Sequence, residues 1–260
     1  MKQNSLERFG TQLAVVEITS HDFVSVIFTT LNEENYIART LLSLRKVLRT
    51  CRVDAEILVV DSSENNLTVQ LASRFADRVF RFSERGLSKA RNFGAAKARG
   101  DILVFMDADS IPSACIFQNL LEAFKDQNVV AAITYVYTYD KKPTLTQKIF
   151  YIFDIAFIKG CAIAPFLLKF YNRGDFIAVR KNVFLKAGGF DPKLNIMEIT
   201  DLIMRILGMG KVVVLNKPVY ESSRRLKSWG FLKSHIYWWK NYLSYYLLKK
   251  PSEKTYPVIR

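Results

Sequence analysis

Apolar residues along the first half of the chain follow two alternating rhythms. Short apolar runs rich in β-branched residues cover positions 24–29, 57–60, 79–82 and 102–106, and such runs read as strands. Between them, Ile37, Thr40, Leu41, Leu44, Val47 and Leu48 fall on one face of a 3.6-residue period, which predicts a helix. Asn32 reads as its N-cap, with Glu33 and Glu34 as acids of the first turn. Further helices are expected over 68–75, over 88–99 with Gly100 as the stop, and over 114–125. The chain is then expected to return as a strand over 129–137. This alternation predicts an α/β fold, a doubly wound and mostly parallel sheet flanked by helices.

The second half is less regular. A strand is expected over 176–179, a short helix over 181–186 stopped by Gly188-Gly189, a helix over 200–207 and a strand over 212–215. Positions 229–248 read as one long aromatic, basic helix ended by Pro251, with Lys233, Lys240 and Ser244 on one side.

Charge changes this picture at the C-terminal end. The chain of 260 residues carries a formal net charge of +14, and from Arg205 onward 12 Lys and Arg face only Glu221 and Glu253. That asymmetry points to an anionic partner: nucleic acid, an anionic membrane surface or a phosphorylated substrate. Cys51, Cys115 and Cys161 have neither metal-ligand nor disulfide spacing, which fits a reducing compartment. The first twenty positions lack a continuous apolar core of a signal peptide. Positions 149–170 are interrupted by Asp154, Lys159, Gly160 and Pro165, short of the roughly 20 apolar residues a membrane span needs. A cytoplasmic location is therefore expected, with peripheral contact to the cytoplasmic membrane face.

Asp107-Ala108-Asp109 ends the apolar run at 102–106. On an extended backbone, carboxylates at i and i+2 point to one side and repel. A divalent cation relieves that repulsion, and Mg²⁺ or Mn²⁺ typically takes one or two carboxylates and completes its shell with water and phosphate oxygens. The C-terminal edge of a parallel sheet is where open α/β folds bind ligands.

Five stretches together resemble the family 2 glycosyltransferases of the GT-A fold: VSVIFTTLNEE at 24–34, VVDS at 59–62, GLSKARNFG at 86–94, GDILVFMDAD at 100–109 and GGF at 188–190. The resemblance spans about 23–220. It implies an inverting, metal-dependent hexosyl transfer from a nucleotide sugar to an acceptor hydroxyl, in glycan biosynthesis. Thr30, Asn32 and Glu33 would meet the base and ribose, and Asp61 the nucleobase. Arg91 and Asn92 would approach the phosphates or fix the nucleotide loop. Asp107 and Asp109, the DXD pair, would hold Mn²⁺ or Mg²⁺, and Asp175 would meet sugar hydroxyls. Adjacent Arg224 and Arg225 suit a diphosphate. The family's base usually belongs to a Glu-Asp pair before a helix; here MEITDL at 197–202 keeps Glu198 but puts Ile199 in the Asp slot. Glu198 and Asp201 are both left as base candidates.

The resemblance divides the chain into an N-terminal extension (1–22), a GT-A domain (23–222) and a basic aromatic segment (223–260). Trp and Tyr among lysines favour a membrane interface, so the expected acceptor is lipid-linked or membrane-proximal. Two other readings stand beside this one. The Ile199 departure keeps open a nucleotide-sugar-binding protein with altered catalysis. The basic aromatic tail fits nucleic acid, a partner the first-half motifs argue against.

Overall fold

The computed structural model describes residues 23–140, 144–171 and 173–253. The expected extension 1–22 and positions 254–260 of the basic segment lie outside the described residues.

The central sheet has seven strands in the order β3-β2-β1-β4-β8-β6-β9. They are β1 (Val24–Thr30), β2 (Ala55–Asp61), β3 (Arg78–Arg81), β4 (Ile102–Asp107), β6 (Val129–Ile133), β8 (Phe176–Arg180) and β9 (Lys211–Val214). Strands β1 to β4 pair in parallel; β8 runs antiparallel to β4 and β6, while β6 and β9 are parallel. Both faces of the sheet are covered, which is why its central strands read as continuous apolar runs. Side chains alternate between faces along a strand. Val24, Val26, Phe28, Val104 and Met106 pack with α1 (Ile37–Thr50) and α4 (Ile116–Phe124) in one core. Ile27, Leu103 and Phe105 pack on the other side with α3 (Leu87–Lys97), α5 (Leu145–Ile163) and α7 (Glu198–Ile206). Three shorter elements complete this framework: α2 (Leu67–Ala72), α6 (Lys181–Lys186) and a 3₁₀ turn (Pro165–Phe170) after α5.

A second, three-stranded sheet has the order β5-β10-β7, from β5 (Ser110–Pro112), β10 (Val219–Glu221) and β7 (Val136–Thr138). It departs from the sequence expectation. The strand expected over 129–137 breaks at Thr134-Tyr135, where the Thr134 hydroxyl bonds the carbonyl of Lys217, and its two halves join different sheets. The helix expected over 229–248 is two, α8 (Arg224–Trp229) and α9 (Phe231–Leu248), separated by Gly230 at φ +77°. That left-handed conformation suits glycine and ends a helix.

Two smaller readings also change. Helix α1 begins at Ile37, so Asn32 is not its cap; Asn32 itself takes a left-handed φ of 57°. Helix α3 ends at Lys97, and Gly100 serves another purpose. A Cβ there would lie 2.5 Å from the Phe23 carbonyl oxygen and 2.6 Å from the Ser25 nitrogen, so only glycine lets the chain enter β4 beside β1.

The basic C-terminal segment is joined to the rest of the protein. Tyr242 and Tyr245 of α9 are buried and pack with Leu194, Ile196 and Met197 in a small third core.

Candidate active site

The site candidates gather at the C-terminal edge of β1, β2 and β4. Strand β1 delivers Thr30, and β2 delivers Asp61 directly beside it. Asp61 is fully buried and accepts from the Thr30 hydroxyl at 2.8 Å, the Ser63 hydroxyl at 2.7 Å, the Ser63 backbone N–H at 3.2 Å and Arg81 at 2.6 Å. A carboxylate offers about four acceptor positions, and these bonds fill them. The backbone N–H groups of Asn32 and Glu33 are held by the hydroxyls of Ser63 and Thr68 at 2.7 and 3.1 Å. The β1–α1 loop is thereby fixed by side chains from the neighbouring β2–α2 connection.

Strand β4 ends at Asp107, and Ala108 and Asp109 lie in the turn that leads to β5. The two carboxylates are therefore not successive same-side positions of one strand, yet they interact. Asp107 is pushed up to about 7, first by burial and then by Asp175, Asp109 and Glu198, against the pull of Arg91. Asp109 is pushed up to about 6 by burial and by Glu33 and Asp175, against the pull of Arg224. Burial also raises Glu33, again opposed by Arg224.

Each carboxylate of the pair is met by a different arginine. Arg91, buried on α3, contacts Glu198 at 2.5 Å and Asp107 at 3.1 Å. Arg224, at the start of α8, grips Glu33 through both terminal nitrogens at 2.7 and 2.9 Å, and its Nε reaches Asp109 at 2.8 Å. The Arg224 guanidinium also lies 4.7 Å from the Tyr36 ring centroid.

Asp175 belongs to a group that the sequence reading did not identify in full. Arg173 contacts Glu221 at 2.7 Å, Asp175 at 3.3 Å and Asp154 of α5 at 3.8 Å. Asp175 and Glu221 lie close enough to shift each other's titration. Burial would raise Asp175, but Arg173 together with the hydrogen bonds to the carboxylate outweighs it and the pKa falls; Glu221 is raised well above the usual range, by burial and then by Asp175. The two carboxyl groups therefore titrate as a pair, with Glu221 the harder to ionise. Glu221 ends β10, a three-residue strand with no pattern of its own, and the sequence reading gave it no role; its place just before Ser222-Ser223-Arg224-Arg225 was the signal available.

Three further candidates stand apart from this cluster. Asn92 bonds the backbone of Phe190 through both ends of its amide, at 2.7 and 2.9 Å, and so pins the Gly188-Gly189-Phe190 loop. Arg225 turns toward Trp229, 5.2 Å from the ring centroid. Asp201 bonds Arg205 at 2.5 Å and accepts from the Tyr245 hydroxyl of α9 at 2.5 Å. Glu198 opens α7 from the left-handed Met197, while Ile199 is buried in the core with Leu202, Ile203 and Ile206.

Carboxylates therefore outnumber guanidinium groups in one cluster: Glu33, Asp107, Asp109, Asp175, Glu198 and Glu221 against Arg91, Arg173 and Arg224. Among the described residues no three His, Cys, Asp or Glu side chains converge as a complete cage for an ion. An ion here would take carboxylate oxygens from Asp107 and Asp109 and complete its shell from water and ligand, the habit of Mg²⁺ and Mn²⁺. The excess of negative charge and the raised values of both aspartates fit such an ion.

Comparison with known proteins agrees with this geometry. Residues 25–188 match the family model "Glycosyl transferase family 2". A probable glycosyltransferase of Bacillus subtilis, YdaM, is 25% identical over 201 residues, 72% of this chain and 47% of its own length. The chain thus spans about half the length of that relative. The S. aureus protein TarS (1–349), solved with UDP-GlcNAc, superimposes with a TM-score of 0.59 at 18% identity, over 77% of this chain and 58% of that one. The mannosyltransferase PcManGT of Pyrobaculum calidifontis, solved with GDP-Man and Mn²⁺, gives a TM-score of 0.60 at 20% identity, over 88% and 63% of the two chains. A parallel sheet edge lined with paired acids and arginines, matched across most of its length by one family model, identifies the chain as a member of glycosyl transferase family 2 with the GT-A fold.

Proposed function

We propose that the chain transfers a hexosyl group from a nucleoside-diphosphate sugar to an acceptor hydroxyl, with inversion at the anomeric carbon and with Mn²⁺ or Mg²⁺. The observation that carries this reading is the surplus of carboxylates around Asp107 and Asp109 at the edge of β1, β2 and β4. Asp109 and Asp107 would hold the ion, which when bound offsets negative charge on the departing diphosphate. Arg224 presents a planar fork in the same cluster, suited to phosphate oxygens. Thr30, Asn32, Glu33 and Asp61 line the corner assigned to the nucleoside, and Asp175 the side assigned to sugar hydroxyls.

The acceptor oxygen forms a bond to the anomeric carbon as the carbon–oxygen bond to the diphosphate breaks. The hydroxyl proton passes to a carboxylate. Of the two acids expected from the sequence, Glu198 stands beside Asp107 through Arg91, and we assign it the role of base. Asp201 is tied to Arg205 and Tyr245 instead. Arg91 fixes the orientation of Glu198, and Asn92 fixes the loop before it.

The acceptor is read as lipid-linked, and the basic aromatic C-terminal segment as a peripheral contact with the cytoplasmic face of a membrane. No helix among the described residues is long and apolar enough to cross one.

The test is a panel of UDP-, GDP- and other nucleotide sugars, scored for nucleotide release and product anomer with Mn²⁺, Mg²⁺ or chelator. Transfer should need the ion, and Asp109→Asn should lose it while keeping the fold by circular dichroism. Full ion-dependent activity in that variant overturns the metal assignment. The buried Ile199 supports a second reading, a nucleotide-sugar-binding protein without transfer; nucleotide binding with no turnover on any donor would favour it.

A further inference from the structure

Helix α9 is only one half of an exposed apolar face. Its outward stripe is Leu232, Ile236, Trp239, Leu243 and Leu247, each more than half exposed, recurring at three- and four-residue spacing. Its inward side is different: Ser234, Asn241, Tyr242 and Tyr245 are buried. Helix α5 meets it at Phe150. Phe150 of α5 sits 5.1 Å from the His235 ring of α9. It forms one wall of a shallow groove whose other wall is Leu232, Ile236, Trp239 and Leu243. Phe170, from the 3₁₀ turn after α5, stacks on Tyr246 at 6.0 Å. Ile152, Phe153, Ile163 and Phe166 are also exposed, at 63% to 87%, Ile152 beside Lys148, Tyr137 and Thr138.

Charge on this face is mostly positive, with Glu253, just after α9, pairing Lys240 at 3.3 Å. Lys148, Lys159 and Lys169 are exposed on the α5 side, and Lys233, Lys240, Lys249 and Lys250 on the α9 side. Helix α9 contains no acid. The one acid of α5, Asp154, faces Arg173. Apolar side chains rimmed by lysines, with tryptophan and tyrosine among them, match the layered chemistry of an anionic bilayer surface: acyl chains below, negative headgroups above.

We propose that α5, the 3₁₀ turn and α9 form a single face that lies in the surface of an anionic lipid bilayer, with α5 contributing as much as α9. The inference rests on the reading of the C-terminal segment as a membrane contact and extends it to an element far away in sequence. Asp154 joins the same helix to the Arg173–Asp175–Glu221 group, so docking through α5 brings that side of the cluster to the headgroup layer.

Sedimentation of the full chain with vesicles of phosphatidylglycerol and phosphatidylcholine in equal parts tests it. Ile152→Glu/Phe153→Glu changes only exposed α5 positions, and Trp239→Glu/Leu243→Glu only exposed α9 positions; thermal melts check that both fold. Each pair should weaken partition by about tenfold or more, from the lost apolar burial. High salt should weaken it further without abolishing it. Normal binding by the α5 variant, with loss in the α9 variant, overturns the two-helix face and leaves the C-terminal contact standing. No partition of the unaltered chain at low salt overturns both. If the α5 variant instead dissociates a dimer, seen by analytical ultracentrifugation, and vesicle binding persists, the face is an interface between two copies.

Discussion

Arg91 approaches the Asp107–Asp109 pair from inside the protein, and Arg224 approaches it from the rim. Arg91 has a side-chain exposure of 3% and its partner Glu198 6%, while its second partner Asp107 opens to solvent at 40%. Arg224 is at 20%, with Glu33 at 14% and Asp109 at 11%. Both are arginines bridging two carboxylates. They differ in what surrounds the bridge. Arg91 stands on a helix packed on β1 and β2 and lies 5.5 Å from the Phe190 ring centroid, so its charge has little access to water. Arg224 begins a six-residue helix and rests against Tyr36 with solvent on one side. A buried bridge is an element of the fold, because removing one partner strands the other charge. A bridge at the rim can exchange its carboxylates for a ligand's phosphate oxygens without disturbing the core.

The largest effect should come from the far end of the buried bridge. Glu198→Gln keeps the size of the side chain and a hydrogen-bond acceptor for Arg91 but removes the carboxylate proposed as base. Turnover should fall by about 10²–10⁴-fold with donor affinity little changed, as read from steady-state kinetics and nucleotide titration. If Asp201→Asn produces that loss and Glu198→Gln does not, the base moves to Asp201.

Next comes Arg91→Ala. It leaves Glu198 buried with no counter-charge, and breaking a buried pair in this way costs about 3–5 kcal/mol, measurable by urea denaturation. A loss under about 1 kcal/mol would mean that the bridge is not a fold element.

Arg224→Ala should be milder for folding and specific for ligand. Hydrogen bonds to charged groups are worth about 1.5–3 kcal/mol, so nucleoside-diphosphate affinity should drop about tenfold to a hundredfold, with a smaller loss of urea stability than Arg91→Ala. Equal destabilisation by Arg91→Ala and Arg224→Ala would erase the contrast between core and rim.

The smallest effect concerns how the rim is fastened. Asp140 accepts from the Ser223 N–H at 2.8 Å, the Ser222 hydroxyl at 3.1 Å and Lys227 at 2.8 Å, at the start of the helix that carries Arg224. Its burial opposes ionisation, but these donors win and its pKa falls below the usual aspartate range. A depressed carboxylate stabilises the fold fully above the unfolded value of about 3.9 and loses that contribution as pH falls through the folded one. Asp140→Asn should therefore lower the melting temperature slightly at neutral pH and flatten the acid limb below about pH 4. An unchanged acid limb would release Asp140 from this role.

Legibility in the sequence tracked how local each feature is. Strands β1, β2 and β4 were readable because burial on two faces leaves a continuous apolar run, and Asp61 and Asp107 follow those runs immediately. Glu198 was readable from the six residues around it, although its partner Arg91 lies 107 positions away. Strands β5, β7 and β10 are three residues each, too short for any period to register, and Glu221 was missed with them. Arg173 was passed over for a similar reason: its partners Asp154 and Glu221 are distant in sequence and only the fold assembles them. The N-cap reading of Asn32 failed because a short polar side chain suits an N-cap and a left-handed turn equally well. The break at Gly230 was hidden because the apolar period continues through it.

The saturation of Asp61 has a consequence for whatever hydrogen-bond donor arrives there. A carboxylate with every acceptor position filled takes a new donor only by exchange, and Arg81, with 44% side-chain exposure, is the incumbent nearest to water. The number of hydrogen bonds at Asp61 is then the same before and after, and the enthalpy of that contact is close to nil. Calorimetry on Arg81→Ala should find this corner more exothermic toward nucleotides, because a vacant acceptor gains a partner where the unaltered protein merely trades one.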